Sequence, residues 1–210
     1  MPDGIDIISD EVEAAQAATA AGVAPDRIGV VHADPYITVV RDPVRFPDDQ
    51  LGVYGRIFST SGVPGVVVLP LLDDLIILVE HFRHATRSWH IEAPRGFGRS
   101  GSTDELNAAR ELSEEIGSEV IEMIPLGIVY PDTGMLADHA ALFAARIESV
   151  GELDKMEGIR RVVPMTGFEI REAMHDGTVN DGFTIAAVTR AWLAGLVNLA
   201  DRGRRTDRPH

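Results

Sequence analysis

Arg110-Glu111-Leu112-Ser113-Glu114-Glu115-Ile116-Gly117 is the stretch that decides how this 210-residue chain is to be read. Offsets of three and four place Glu111, Glu114 and Glu115 on one face of a helix. At 3.6 residues per turn they span an arc of roughly 100°. Ala109, Leu112 and Ile116 fall on the other side and can pack on a sheet, and Gly117 can end the helix in a left-handed cap. Three carboxylates on one face repel one another unless a cation offsets them. Hard oxygen ligands of this kind suit Mg²⁺ or Mn²⁺, and a metal-bound water is a usable nucleophile near neutral pH. Taken alone, such a run also reads as a solvated acidic face.

Working outward, residues 96–101 form a glycine-rich loop before this helix, which is expected from about Thr103 to Gly117. Ser102 and Glu105 have the spacing of a capping box at its start. Upstream, YITVV, LGVYGRIF, GVVVLPL, DLIILVE and WHIE read as successive strands separated by Pro, Gly and Asp. Residues 9–21 read as a helix, capped by Ser9 or Asp10 and stopped by Gly22. Downstream, strands are expected at 119–130 and 139–147, a polar loop at 149–159, and helices near 167–176 and 183–200. The fold class is α+β: an α/β/α sandwich with a mixed sheet flanked by helices, preceded by N-terminal antiparallel strands.

Composition limits the function classes. The hydrophobic fraction is 45% and the charged fraction 25%, ordinary for a soluble domain. No apolar run approaches the roughly 20 residues of a membrane span, and the acidic N-terminus lacks the pattern of a signal peptide. The net charge of −14 argues against a nucleic-acid partner, which needs a basic footprint. With no cysteine there is no disulfide framework and no thiolate metal site, consistent with a cytoplasmic location. An anionic substrate would need bound cations to approach so acidic a protein.

The residues around the acidic helix resemble the signature of the Nudix family. Gly96, five residues, Ser102, seven residues, then Arg110 to Ser118 reproduce its spacing without a gap. Ser102 stands where the family has a glutamate that partners the arginine, and Ser118 where it has an aliphatic residue. The preceding segment, with Glu80, Arg83, Trp89, Glu92, Pro94 and Gly96, resembles the ADP-ribose pyrophosphatases and related nucleoside-diphosphate-sugar hydrolases. Residues 130–139, YPDTGMLADH, resemble a loop of the same subfamily, with Pro131 and Gly134 matching and Asp138 in place of glutamate.

The resemblance implies a metal-dependent enzyme that cuts the diphosphate of a nucleotide-sugar, with ADP-ribose giving AMP and ribose 5-phosphate as the default. It implies Glu111, Glu114 and Glu115 as catalytic metal ligands, with the backbone carbonyl of Arg95 beside them. Arg83, Glu92, Arg95, Gly96 and Asp138 would contact substrate. Glu157 is the first candidate for a general base, with Glu152 and Asp154 behind it. Residues 1–60 would serve homodimerisation, 61–202 would be the hydrolase domain, and 203–210 a basic tail. The alternative is a nucleotide-sugar-binding module of the same fold that does not cut its ligand.

Competing motifs are weaker. GFGRSG at 96–101 satisfies the dinucleotide fingerprint, but Glu92, Pro94 and Arg95 stand where a buried parallel strand should end. As a phosphate loop the same run lacks its lysine, because Ser102 occupies that position. His81, His84 and His90 fall on strand and loop rather than at zinc-binding helical spacing. Trp89 and Trp192 read as core or interface residues.

Overall fold

β-branched runs punctuated by turn residues give eleven strands and four α-helices among the described residues, 4–153 and 158–200, of a computed structural model. The described residues divide into two units: 4–63 with 130–138, and 64–129 with 139–153 and 158–200.

In the first unit β1 (Asp6–Ile7), β2 (Gly29–Ala33), β3 (Ile37–Arg45) and β4 (Leu51–Ser59) form an antiparallel sheet with β3 between β1 and β2 and also paired to β4. Helix α1 (Glu11–Ala20) starts at Asp10, whose side chain accepts the Glu13 N–H at 2.9 Å. The loop 130–138 is tied to β4: Ile57 N–H donates to the Met135 carbonyl at 3.0 Å, and the Tyr54 hydroxyl donates to the Gly134 carbonyl at 2.8 Å.

The second unit is built on a seven-stranded mixed sheet. Its main path runs β11 (Ile159–Thr166), β6 (Leu75–Arg83), β5 (Gly65–Leu72), β10 (Ala140–Ile147), β9 (Val120–Val129). β5 and β10 are parallel; the other pairs are antiparallel. Central β5 reads as a continuous apolar run because both its faces are covered. Val66 and Val68 join one core cluster with Ala108, Leu112 and Ile116, while Val67, Leu69 and Leu71 join another with Ile170, Ala187 and Val188. The first cluster packs under α2 (Asp104–Ile116), the second under α3 (Gly167–His175) and α4 (Gly182–Leu193). That is the expected α/β/α sandwich.

One departure from a regular sheet positions the site. β5 and β6 pair only beside their turn, at Leu71–Ile76 and Leu72–Leu75. Beyond it they part, and β7 (Ser88–Glu92) pairs with β6 while β8 (Arg95–Phe97) pairs with β5. Ala93 and Pro94 cross this fork. The Pro94 carbonyl accepts from Val68 N–H at 2.9 Å, and Ala93 N–H donates to the buried Thr184 hydroxyl at 2.9 Å.

Five readings need correction. Helix α2 is capped by Thr103, not Ser102: Thr103 is the last extended residue (φ −75°, ψ 158°) and its hydroxyl accepts from Leu106 N–H at 3.3 Å. The buried face of α2 includes Ala108 rather than Ala109. The last helix stops at Leu193, because Gly195 turns left-handed at φ 74°. Strand β11 lay unread in 159–166. Trp89 and Trp192 are both exposed, so neither belongs to the core.

Candidate active site

The acidic helix docks by its apolar stripe, which fixes the direction of its carboxylates. Leu112 and Ile116 are fully buried, and Gly117 ends the helix at φ 60°. Gly117 also lies against Gly151, so closely that a Cβ on Gly151 would come 2.6 Å from the Gly117 carbonyl oxygen. Ser118 is buried, and its hydroxyl donates to the Ser149 carbonyl at 2.8 Å. The serine in place of an aliphatic residue thus fastens the loop after β10 to the end of α2.

Glu111 and Glu115 are 5% and 1% exposed, while Glu114 is half-buried. Glu111 rests on β8: Gly96 has no side chain, and a Cβ there would collide with all three atoms of the Glu111 carboxylate. Arg110 lies between two of the acids. Its guanidinium contacts Glu111 Oε1 through Nη2 and Glu114 Oε2 through Nη1, and Nη2 also donates to the Phe97 carbonyl at 3.0 Å. Arg99 reaches the other oxygen of Glu114 at 3.1 Å. The buried Asn107 side chain accepts Arg99 N–H through Oδ1 at 3.0 Å and so shapes the loop before the helix.

At the sheet fork Glu92, 1% exposed, gathers two arginines and a histidine. Arg83 donates through Nε to Oε1 at 2.7 Å and also contacts it through Nη2. Arg95 Nη2 lies 3.4 Å from Oε2, and His81 Nδ1 lies 3.4 Å from Oε1. Arg95 also lies 3.3 Å from Asp181 and stacks over the Phe183 ring, its guanidinium carbon 4.9 Å from the ring centroid. A cavity of about 200 Å³ is lined by Arg83, Arg95, Gly96, Phe97 and Phe183. A larger cavity, about 430 Å³, lies by the β5–β6 turn among Asp73, Phe168 and Asn198 and holds none of the expected site residues.

The structure therefore brings Glu111, Gly96, Arg95, Arg83 and Glu92 into one contiguous neighbourhood, with Glu114 and Glu115 on the same helix as Glu111. Asp138 belongs to the first unit, where its carboxylate accepts Ser59 N–H. Glu157 and Asp154 lie outside the described residues; Glu152 is exposed. Glu80 braces strands: both Arg160 and Arg161 donate to it, and Arg160 first, then Arg161, hold its carboxyl below the usual carboxylate range. Sequence reasoning missed Arg99, Asn107, Asp181, Phe183 and Thr184. Asp181 carried a readable signal as the cap of α4, accepting Thr184 N–H at 2.8 Å.

Among the described residues no three His, Cys, Asp or Glu side chains converge on a single point as a finished metal cage. The donors nevertheless fit a divalent cation. Two of the three glutamates are buried, all offer hard oxygens, and a guanidinium already stands as a cation between Glu111 and Glu114. The glycine run at 96–101 is not a dinucleotide site, because it begins on β8, which is antiparallel to β5.

Fold and site together define a mixed-sheet α/β/α protein with a carboxylate-bearing helix set against a glycine and a two-arginine cavity. Residues 63–166 match the family model of the NUDIX domain, so the chain carries a NUDIX domain, as its signature implied. Among solved structures it is similar to the crystal structure of an ADP compounds hydrolase, with a TM-score of 0.68 and 23% identity, covering 79% of this chain and 91% of that one. At that identity the likeness speaks to the fold. No curated protein matches the sequence. Among the described residues no helix is long and apolar enough to cross a membrane.

Proposed function

We propose that the chain hydrolyses the diphosphate bond of a nucleoside diphosphate linked to another moiety, with ADP-ribose, giving AMP and ribose 5-phosphate, as the first substrate to try. The observation that carries this reading is the apposition of the buried Glu111 carboxylate to Gly96, on the wall of the cavity that Arg83 lines. It is supported by the NUDIX match and by the fold shared with an ADP compounds hydrolase.

Glu111, Glu114 and Glu115, with the Arg95 carbonyl, would hold Mg²⁺ or Mn²⁺, which when bound supplies Lewis-acid polarisation of phosphate oxygens. Arg83 is oriented by the buried Glu92 and presents its remaining N–H groups to a phosphate, a planar fork that suits it. Glu92 keeps that arginine fixed in the absence of ligand. Gly96 leaves the space in which ligand and carboxylate meet. Asp138 is proposed as a substrate contact, and Glu157 as the base that takes the proton of the attacking water. Residues 1–60 are proposed to mediate a homodimer, which sedimentation of the full chain tests.

The experiment is product analysis with ADP-ribose and a panel of nucleotide-sugars, with Mg²⁺ and with chelator, on the full chain and on Glu115→Gln. Metal-dependent AMP release that falls by orders of magnitude in the variant supports the reading; unchanged turnover in Glu115→Gln removes that residue's role. One observation favours a second reading, a binding module: Arg110 already occupies both Glu111 and Glu114. Tight nucleotide-sugar binding in chelator without turnover of any substrate would establish it.

A further inference from the structure

The cavity at the sheet fork holds a side chain to which the proposed hydrolysis gives no part, since that reading uses only the backbone carbonyl of its residue. Arg95 sits on β8 opposite Val67, and its guanidinium carbon lies over the Phe183 ring, 4.9 Å from the centroid. Its two acidic neighbours are distant for ion pairs, at 3.3 Å and 3.4 Å, and both face the same terminal nitrogen, Nη2. Its Nε is buried with no hydrogen-bond partner among the described residues. A buried, unsatisfied N–H of a charged group is costly, so it marks a place where an acceptor is expected. Arg83 lines the same cavity and spends Nε and Nη2 on Glu92. Two guanidinium groups, both about a quarter exposed, therefore face one small space with donors to spare.

We infer that Arg95 and Arg83 form a paired-guanidinium subsite that takes a phosphate group of the substrate directly, without a metal ion, and that Arg95 sets its preference for the more highly charged phosphate. The cavity, about 200 Å³, falls below the roughly 300 Å³ at which sites for whole ligands begin, so it receives one group of a larger molecule. Planar forks bind phosphate oxygens in pairs, which a point charge does not reproduce. Phe183 under Arg95 gives that guanidinium an aromatic neighbour that helps to hold it in place before a ligand arrives. Gly96, shared between the cavity wall and the Glu111 carboxylate, puts the subsite next to the acidic helix. The inference rests on the proposed function for what becomes of the ligand, but not for its capture.

The test is calorimetric titration of the full chain in chelator with inorganic pyrophosphate and with inorganic phosphate, alongside turnover of ADP-ribose with Mg²⁺. The native chain is expected to bind pyrophosphate more tightly than phosphate. Arg95→Ala should weaken pyrophosphate at least tenfold and narrow the difference between the two anions, and Arg95→Lys should recover only a minor part. Arg95→Gln, which keeps a planar amide over Phe183, guards against a folding defect, and its melting curve is read in parallel. Native-strength pyrophosphate binding in a folded Arg95→Ala or Arg95→Gln overturns the subsite, as does absence of binding by the native chain in chelator. Arg95-dependent binding without turnover would instead overturn the hydrolase reading and leave the subsite standing. Turnover with an Arg95-independent KM would do the reverse.

Discussion

Gly96→Ala is the most discriminating single substitution. The Gly96 backbone is not in the left-handed region, so alanine can adopt it without strain. The added methyl would meet the Glu111 carboxylate carbon and both its oxygens, about an ångström or more short of the 3.4 Å at which ordinary contact begins. The atoms in the way are the tip of a side chain, not backbone, so the fold can absorb the methyl by turning Glu111 aside. An off-rotamer side chain costs about 0.5–1.5 kcal/mol, and the thermal midpoint should fall by only a few degrees. Catalysis is less forgiving, since a misplacement of about 1 Å at a reacting centre costs of order 10²-fold. The expected result is a kcat for ADP-ribose about a hundredfold down in a protein that melts almost as the native one does. Gly55→Ala is the control: nothing lies within 4 Å of a Cβ there, and both turnover and melting should stay unchanged. Gly96→Ala turning over within about threefold of native, with the fold intact, would show that Glu111 need not stand where the structure places it.

Three further outcomes follow from particular contacts. If a glutamate at 102 partners Arg110 as the signature implies, Ser102→Glu should loosen the hold of Arg110 on Glu111 and Glu114; Mg²⁺ affinity, read by titration without substrate, should rise roughly twofold to fivefold, the scale of a partly exposed ion pair. Unchanged affinity would mean that Arg110 does not compete with the metal. Glu80→Gln should destabilise the chain at neutral pH. Because Arg160 and Arg161 lower the Glu80 carboxyl from its ordinary 4.5, their contribution is complete above that value and is lost as pH falls through the lowered one. The gap in urea midpoint between native and variant should therefore be full near neutrality and close below pH 4.5; a gap that persists in strong acid would refute this. Gly167→Ala places a methyl on the Asn198 carbonyl oxygen, which is backbone and cannot turn aside, so a loss of about 1–3 kcal/mol in denaturant unfolding is expected.

Legibility in the sequence tracked how local each cause was. The acidic helix could be read because its stripe, Leu112 and Ile116, and its stop, Gly117, lie within a few residues of one another. Its cap was misread by one position, since Ser102 and Thr103 can both cap and the choice depends on a loop held by Asn107. β11 escaped because Arg160, Arg161 and Pro164 break the expected apolar run; as an edge strand beside β6 it tolerates a proline and exposed charges. The sheet fork had no local signal at all. Glu92, Pro94 and Arg95 look like a strand interrupted by a breaker until β5 and β6 are seen to part around them.

The same limit separates motif from site. The signature named the acids, and the helical period placed them on one face. It could not say that Arg110 would lean onto Glu111 and Glu114. Nor could it say that Arg95 would find Phe183, eighty-eight positions away, as a platform. One belongs to the arginine whose partner in the signature is replaced by Ser102, the other to Arg95 in the segment before it. A departure is read as damage when only the motif is known. With its neighbours in place, each becomes a cation with defined partners. The cation at 110 stands between two of the acids proposed to hold the metal, whereas the one at 95 lies over an aromatic ring and lines the cavity. Substrate preference should therefore move with residue 95 and metal affinity with residue 102, and the two sets of variants should act independently.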